Sequence, residues 1–202
     1  QKRFAHQTQQ GNNYLIALLV GLAIPFIIML LYDFFNDKIV DLKEISKRTR
    51  VPVIGTLGHN RYQTELPVLE KPKSTLTESF RGLRTNLQYL MREPESRVVS
   101  VSSTVVGEGK TFIAVNLAAA IAVTGKRVLL LGLDLRKPRL HRLMGYSGDI
   151  GVSTYLIGQN SAGDIVVPSQ HENLYFAPSG PIPPTPAELL ARYDEVTAAR
   201  AE

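Results

Sequence analysis

The sequence of 202 residues predicts an α/β protein with a mostly parallel sheet and flanking helices, preceded by one transmembrane helix. A charge-free apolar run near the amino terminus predicts the membrane segment. Apolar strand-like runs that alternate with helical patterns predict the sheet. Nearly continuous apolar strands separated by helices are typical of a parallel sheet that helices cover on both faces.

The apolar run covers residues 14–32 and contains no charged side chain. As a helix it extends about 28 Å, which matches the ~30 Å hydrocarbon core of a bilayer. We expect residues 1–13 to be a periplasmic remnant and residues 33–73 to be a juxtamembrane linker. The positive-inside rule places the rest of the chain in the cytoplasm, because these basic residues follow the run: Lys38, Lys43, Lys47, Arg48 and Arg50. The linker pattern predicts a helix over 41–49, a strand over 51–58 and a loop over 61–73.

Composition excludes several classes of function. The chain has no cysteine, which rules out disulfides, thiolate nucleophiles and cysteine metal sites. Its net charge of +5 is a mild basic excess, and the basic residues cluster beside the predicted membrane segment rather than along a groove-reading element. Nucleic acid is therefore not an expected partner.

Residues 74–202 are the predicted globular domain. Its first helix is predicted from Thr75, which forms a T-x-x-E capping box with Glu78 and precedes apolar residues along one helix face. The elements predicted after this helix are strand 97–103, helix 110–123, strand 128–133, helix 138–144, strand 174–177 and a helix that opens at Pro186.

A glycine-containing loop joins the strand 97–103 to the following helix, which is the context of a phosphate-binding loop. Glycines let backbone N–H groups turn toward a polyphosphate, and the helix adds its positive dipole end. Lys110 can reach phosphate oxygens, and the Thr111 hydroxyl can bind Mg²⁺. Thr104 stands where the P-loop NTPase pattern has its first glycine, so the match is partial. The predicted nucleotide-binding residues are Thr104, Val105, Val106, Gly107, Glu108, Gly109, Lys110, Thr111 and Phe112.

Asp134 follows the strand 128–133, at the edge where open α/β sheets bind ligands. A carboxylate there can hold Mg²⁺ or polarise an attacking hydroxyl. The alternative is that Asp134 caps the short helix after Pro138. Arg136 either neutralises phosphate or is a solvated charge.

The loop sequence GEGKT, followed one helix later by LLLGLDLRKP, resembles the bacterial tyrosine autokinases of capsular and exopolysaccharide assembly. The resemblance implies ATP and Mg²⁺ as cofactors and catalytic roles for Lys110, Asp134 and Arg136. Thr111 and Asp134 are the implied metal ligands. The family motif D-x-D-x-R has Gly132 at its first position here, where the family has an aspartate.

The resemblance also covers the membrane segment and one helix surface. In this family a periplasmic chain-length domain lies between two membrane helices, and residues 14–32 resemble the second of them. Glu78, Arg81 and Arg84 match an E-x-x-R-x-x-R motif that packs neighbouring subunits into a homo-oligomeric ring for phosphorylation in trans. The implied partners are these subunits, the inner membrane and the polysaccharide export machinery. The alternative is that these residues act only within the helix: Glu78 caps it, and the arginines are charges exposed to solvent.

Two other functions remain open. A non-catalytic scaffold that sets polysaccharide chain length is favoured by Gly132 and by the lack of an apolar run ending in Asp after residue 177. A partitioning-type P-loop ATPase is disfavoured because Val105 stands where those proteins carry a lysine. Since the tyrosine-rich tail of an autokinase is also missing, we expect a carboxyl-terminally truncated chain with an incomplete sheet.

Overall fold

The structure, a computed structural model, describes residues 2–34, 49–91 and 98–191. The chain forms two compact units, residues Gln1–Val53 and Ile54–Glu202. All but the last residue of the helix predicted over 41–49 lies outside the described residues.

The first unit contains helix α1, Lys2–Phe34, with Pro25 in its interior. The described side chains of residues 17–32 are exposed. Within the described part of the chain, no helix has both the length and the apolar character needed to cross a membrane. The transmembrane prediction for residues 14–32 is therefore not confirmed.

The second unit begins with helices α2, Pro67–Glu70, and α3, Thr75–Leu90. The first of these lies in the segment predicted to be loop. Helix α3 confirms the predicted helix, but the N-cap is Ser74, whose Oγ accepts a hydrogen bond from the Thr77 N–H at 3.1 Å. The predicted capping box at Thr75 is thus wrong by one residue, because Ser74 offers an equivalent hydroxyl one position earlier.

Helix α4, Lys110–Ala122, packs between α3 and the sheet. Its alanines bring the helix close to its neighbours, and the Phe112 ring lies 5.9 Å from the Phe80 ring of α3, centroid to centroid. The buried residues that α3 and α4 contribute to the main core are Leu76, Phe80, Leu83, Leu117, Ala118, Ala119, Ala120 and Ala122. This packing fixes the start of α4, where the predicted phosphate-binding loop ends.

The sheet has three strands in the order β1-β3-β2, and its elements are β1 Val128–Leu131, β2 Val167–Pro168 and β3 Leu174–Ala177. Strands β1 and β3 are parallel, whereas β2 and β3 are antiparallel. The described sheet is therefore small and mixed rather than mostly parallel. The cause is the short connection between β2 and β3, since a turn of a few residues can join only antiparallel strands.

Two predicted strands are not formed. Residues 98–103 are irregular, and Val98 is 94% exposed. Residues 51–58 are also irregular, and the Ile54 carbonyl accepts from Asn86 Nδ2 of α3 at 2.8 Å instead of joining a ladder. An apolar run becomes a strand only when another strand pairs with it, and neither segment has such a partner among the described residues.

Three short helical segments complete the second unit. Helix α5, Leu140–Leu143, starts two residues later than the predicted helix at Pro138, and α6, Val152–Leu156, lies where the sequence pattern predicted no element. Residues 186–191 are helical, and the Leu189 N–H donates to the Thr185 carbonyl at 3.1 Å, which confirms the helix start at Pro186.

Candidate nucleotide-binding site

The loop before α4 has the backbone geometry of an anion-binding turn. Gly107 and Gly109 have φ values of 97° and 90°, a region that side chains with a Cβ rarely adopt. Gly109 is the N-cap of α4 and provides no side-chain cap. The first amides of α4 are therefore available to an anion, which the helix dipole also favours.

The earlier loop residues form an exposed turn. The Thr104 N–H donates to Glu108 Oε2 at 3.0 Å, and Ser103 Oγ donates to the Val105 carbonyl at 3.1 Å. Val105 and Val106 are exposed. The Glu108 carboxylate thus accepts a hydrogen bond from a backbone amide that could also donate to a bound anion. This contact between Glu108 and Thr104 holds the two ends of the turn together.

Lys110 and Asp134, which are 24 residues apart, meet at this loop. Lys110 Nζ donates to Asp134 Oδ2 at 2.6 Å, and their side chains are 37% and 30% exposed. Lys110 is the first residue of α4, and Asp134 lies just beyond β1, which packs against α4. The structure therefore brings together the two charged residues that the sequence placed in one site.

The environment of Asp134 favours its charged form. Partial burial by itself raises the pKa of Asp134, but hydrogen bonds and charge outweigh it and lower the pKa below its usual value. Lys110 contributes both a hydrogen bond and a positive charge, and the backbone amides of Lys137 and Arg136 also donate to this carboxylate. The Lys137 N–H to Asp134 Oδ1 distance is 3.0 Å. Asp134 is thus held as an oriented carboxylate.

The alternative role of Asp134 as a helix cap does not match the structure, since the N-cap of α5 is Arg139. Asp134 instead accepts a hydrogen bond from the Lys137 N–H in the loop that precedes α5. Arg136 takes part in this site through its backbone amide, and its side chain lies exposed at the surface.

Thr111 and Phe112 occupy the first turn of α4 and face different surroundings. Thr111 is half-buried next to Lys110. The Phe112 ring packs on Phe80 in the core, and its carbonyl accepts from Asn116 Nδ2 at 2.9 Å. Only the backbone of Phe112 therefore remains for the predicted contact with nucleotide.

Gly132 fills the position where the related motif has an aspartate. A Cβ at this residue would lie 2.9 Å from Ser179 Oγ and 3.0 Å from the Ser179 nitrogen. The Gly132 N–H also donates to the Ala177 carbonyl at 2.8 Å. The segment after β3 thus approaches the Gly132 backbone so closely that a side chain at this position would require that segment to shift.

The three charged residues of α3 do not share one environment. Glu78 and Arg81 form an ion pair on the surface. Arg84 instead donates from an Nη atom to the Ala120 carbonyl of α4 at 2.8 Å. Arg84 is therefore not a free charge on the helix surface, and the predicted subunit contact rests on Glu78 and Arg81.

One residue that supports the site was missed by the sequence reasoning. Asn116 of α4 is completely buried, and its Nδ2 donates to the Glu65 carbonyl at 2.8 Å while its Oδ1 accepts from the Val68 N–H at 3.2 Å. Asn116 therefore binds the segment around α2 to the helix that carries Lys110. A single polar residue within an apolar helix is the signal that could have indicated it.

Comparisons with known proteins identify the kind of domain. Residues 99–162 match the CobQ/CobB/MinD/ParA nucleotide binding domain. The chain is 37% identical to the tyrosine-protein kinase YwqD of Bacillus subtilis over 132 residues, covering 65% of this chain and 56% of YwqD. It is 32% identical to the tyrosine-protein kinase wzc of Salmonella typhi over 200 residues, covering 90% of this chain and 28% of wzc.

A solved structure has the same fold. The BceF tyrosine kinase domain superposes with a TM-score of 0.65 at 31% identity, covering 79% of this chain and 72% of that domain. The fold and the loop together define a P-loop nucleotide-binding domain. Within that class, the chain belongs to the family of bacterial tyrosine-protein kinases. It spans about half the length of YwqD and about a quarter of the length of wzc.

Proposed function

We propose that this chain belongs to an ATP-dependent tyrosine autokinase of capsular or exopolysaccharide assembly, called the parent protein below, which phosphorylates tyrosines of neighbouring subunits. The observation that carries this proposal is the pairing of Lys110 with Asp134 at the end of the glycine loop. A cation that can contact phosphate and a carboxylate that can accept a proton are the two groups that phosphoryl transfer to a hydroxyl requires.

The proposed roles follow from the contacts of each group. The triphosphate competes with Asp134 for Lys110, so nucleotide binding separates the ion pair. The freed Oδ2 of Asp134 then accepts the proton of the tyrosine hydroxyl. The tyrosine oxygen forms a bond to the γ-phosphorus, and the bond from that phosphorus to the β,γ-bridging oxygen breaks. Lys110 and the first amides of α4 stabilise the negative charge on the phosphoryl oxygens.

The residues present fit a magnesium ion that is bound together with nucleotide. Within the described part of the chain, no group of three or more carboxylates or imidazoles forms a metal site of its own. One carboxylate and one hydroxyl, from Asp134 and Thr111, are a suitable protein contribution because Mg²⁺ takes its remaining ligands from phosphates and water. The ion would neutralise phosphate charge.

The proposed setting is the bacterial inner membrane, with the P-loop domain in the cytoplasm. Residues 14–32 would anchor the protein there, as their charge-free apolar sequence suggests. Glu78 and Arg81 lie exposed on α3 and would contact neighbouring subunits in a ring. Association with the polysaccharide export machinery is part of the same proposal.

Phosphotyrosine detection on the parent protein tests this function. We expect phosphotyrosine after incubation with Mg²⁺ and ATP, and a loss of at least about a hundredfold in Lys110→Ala, because this lysine stabilises transferred charge. The matched control is Lys126→Ala, an exposed lysine after α4, which should behave like the parent protein.

The non-catalytic scaffold is the second candidate, and Gly132 is the observation that favours it. Its prediction is ATP binding without any phosphotyrosine in the parent protein. Phosphotyrosine that persists in Lys110→Ala would contradict both functions, since neither assigns phosphoryl transfer to another site.

A further inference from the structure

A cleft of about 450 Å³ lies between the segment around α2 and helix α5. Thr64, Leu66 and two glutamates line one wall, and Arg139, Arg142 and Leu143 line the other. The volume falls within the ~300–1,000 Å³ range of ligand sites in proteins. None of these residues belongs to the predicted nucleotide site.

The charged groups of the cleft are not paired with one another. Arg139 and Arg142 are three positions apart and exposed, and Glu65 and Glu70 are exposed on the facing wall. The ion pairs formed among the described residues do not involve any of these four side chains. The cleft thus offers two guanidinium groups and two carboxylates to a ligand that carries both kinds of charge.

Contacts with the core and with Asn116 hold the walls of the cleft in place. Leu66 and Leu143 pack against the buried residues Val115, Leu140 and Phe176. Asn116 binds the Glu65 carbonyl, and the Leu66 N–H donates to Thr64 Oγ1 at 3.0 Å. The apolar floor and the backbone of one wall are therefore fixed before any ligand binds, which lowers the entropy cost of binding.

Both walls continue from the elements that carry the nucleotide site. The α2 wall is bound to α4, which starts at Lys110, through Asn116. The α5 wall follows the loop that Asp134 fixes through the Lys137 N–H. A ligand in this cleft therefore lies on elements next to the site of phosphoryl transfer.

We propose that this cleft binds a phosphotyrosine side chain that is flanked by a basic residue, supplied by a neighbouring copy of the protein; the proposal rests on the proposed function. Arginine is the side chain best suited to a phosphate monoester, since its planar fork donates two hydrogen bonds. Leu66 and Leu143 offer apolar contact to the aromatic ring, and Glu65 and Glu70 offer partners to the flanking cation. The cleft would thus hold a phosphorylated segment beside the site that produces it.

The test measures binding of a short synthetic peptide in which arginine is followed by phosphotyrosine, the order that this chain has at Tyr62 and Tyr193, by fluorescence anisotropy on the full chain. We expect binding that the double variant Arg139→Gln/Arg142→Gln weakens about tenfold or more. Arg127→Gln, an exposed arginine just before β1, is the matched control and should change the affinity less than about twofold. Glu70→Gln should weaken binding of the arginine peptide but not of a peptide with alanine in place of the arginine.

Three results would overturn the proposal: equal binding of the unphosphorylated peptide, binding that the double variant does not weaken, or binding only of vesicles that contain phosphatidic acid. Nucleotide binding is measured on the same samples. The double variant should keep nucleotide affinity, whereas Lys110→Ala should lose it and still bind the peptide. A chain that binds nucleotide but not the peptide would therefore contradict this inference alone. A chain that binds the peptide but not nucleotide would contradict the proposed function alone.

Discussion

Two polar residues of α4 connect this helix to other segments, and they do so in opposite ways. Asn116 is neutral, completely buried and bonded to three backbone groups. Lys110 is charged, partly exposed and bonded to one carboxylate. Loss of the Asn116 side-chain contacts would leave buried backbone groups unpaired. Lys110, by contrast, can replace its contact with Asp134 by a contact with phosphate. One helix therefore carries both a fixed structural contact and a releasable functional one.

The largest effect is expected from Asn116→Ala. It leaves the Val68 N–H and the Glu65 carbonyl without their partner, so the free energy of unfolding should fall by about 3 kcal/mol. Urea denaturation measures this change. Gln88→Ala, at an exposed position of α3, is the control. Its free energy of unfolding should stay within about 0.5 kcal/mol of that of the unsubstituted chain. A loss below about 1 kcal/mol for Asn116→Ala would show that the contact is not structural.

An intermediate effect is expected from Gly132→Ala, which tests how tightly the segment beyond β3 packs beside Asp134. The new Cβ would meet Ser179 Oγ and the Ser179 nitrogen, so stability should fall by about 1–3 kcal/mol. The double variant Gly132→Ala/Ser179→Gly should recover only part of the loss, because the contact with the backbone nitrogen remains. Gly58→Ala, where a Cβ meets open space, is the control. Wild-type stability of Gly132→Ala would contradict the close packing.

The smallest effect is expected from Asp134→Asn, and it should depend on pH. The pKa of Asp134 is lowered from 3.8, so its charged form stabilises the fold above that value and this stability is lost as pH falls through the lower folded pKa. At neutral pH the variant should be less stable by no more than about 1 kcal/mol, because the pair is partly solvated. Denaturation curves at neutral and strongly acid pH measure the difference, which should shrink in acid. A difference that persists unchanged in acid would exclude the ion pair as its cause.

Helices α3 and α4 and the two longer strands could be predicted from local patterns. The apolar stripe of α3, the alanine-rich sequence of α4 and the apolar runs of β1 and β3 each indicate an element that the structure forms. Residues 98–103 were also predicted to be a strand, yet they form none here. A strand depends on a partner far away in the sequence, so a local pattern is not sufficient.

The charged pair of the site could also be predicted, whereas its surroundings could not. Lys110 could be predicted from the loop motif, and Asp134 from its position just after the predicted strand 128–133. The contact between Gly132 and Ser179 depends on how closely two distant segments approach, and no pattern within either segment encodes that distance. The inward position of Arg84 was hidden for a similar reason, since its partner is a backbone carbonyl of another helix.

The bond from Arg84 to the Ala120 carbonyl has a consequence for self-association. The Arg84 Nε atom is already buried without a partner among the described residues. If an adjoining copy recruits this guanidinium, the Ala120 carbonyl loses its donor, which costs about 1–3 kcal/mol before any new contact forms. A ring that uses Arg84 would therefore need a higher protein concentration to assemble than a ring that leaves this bond intact.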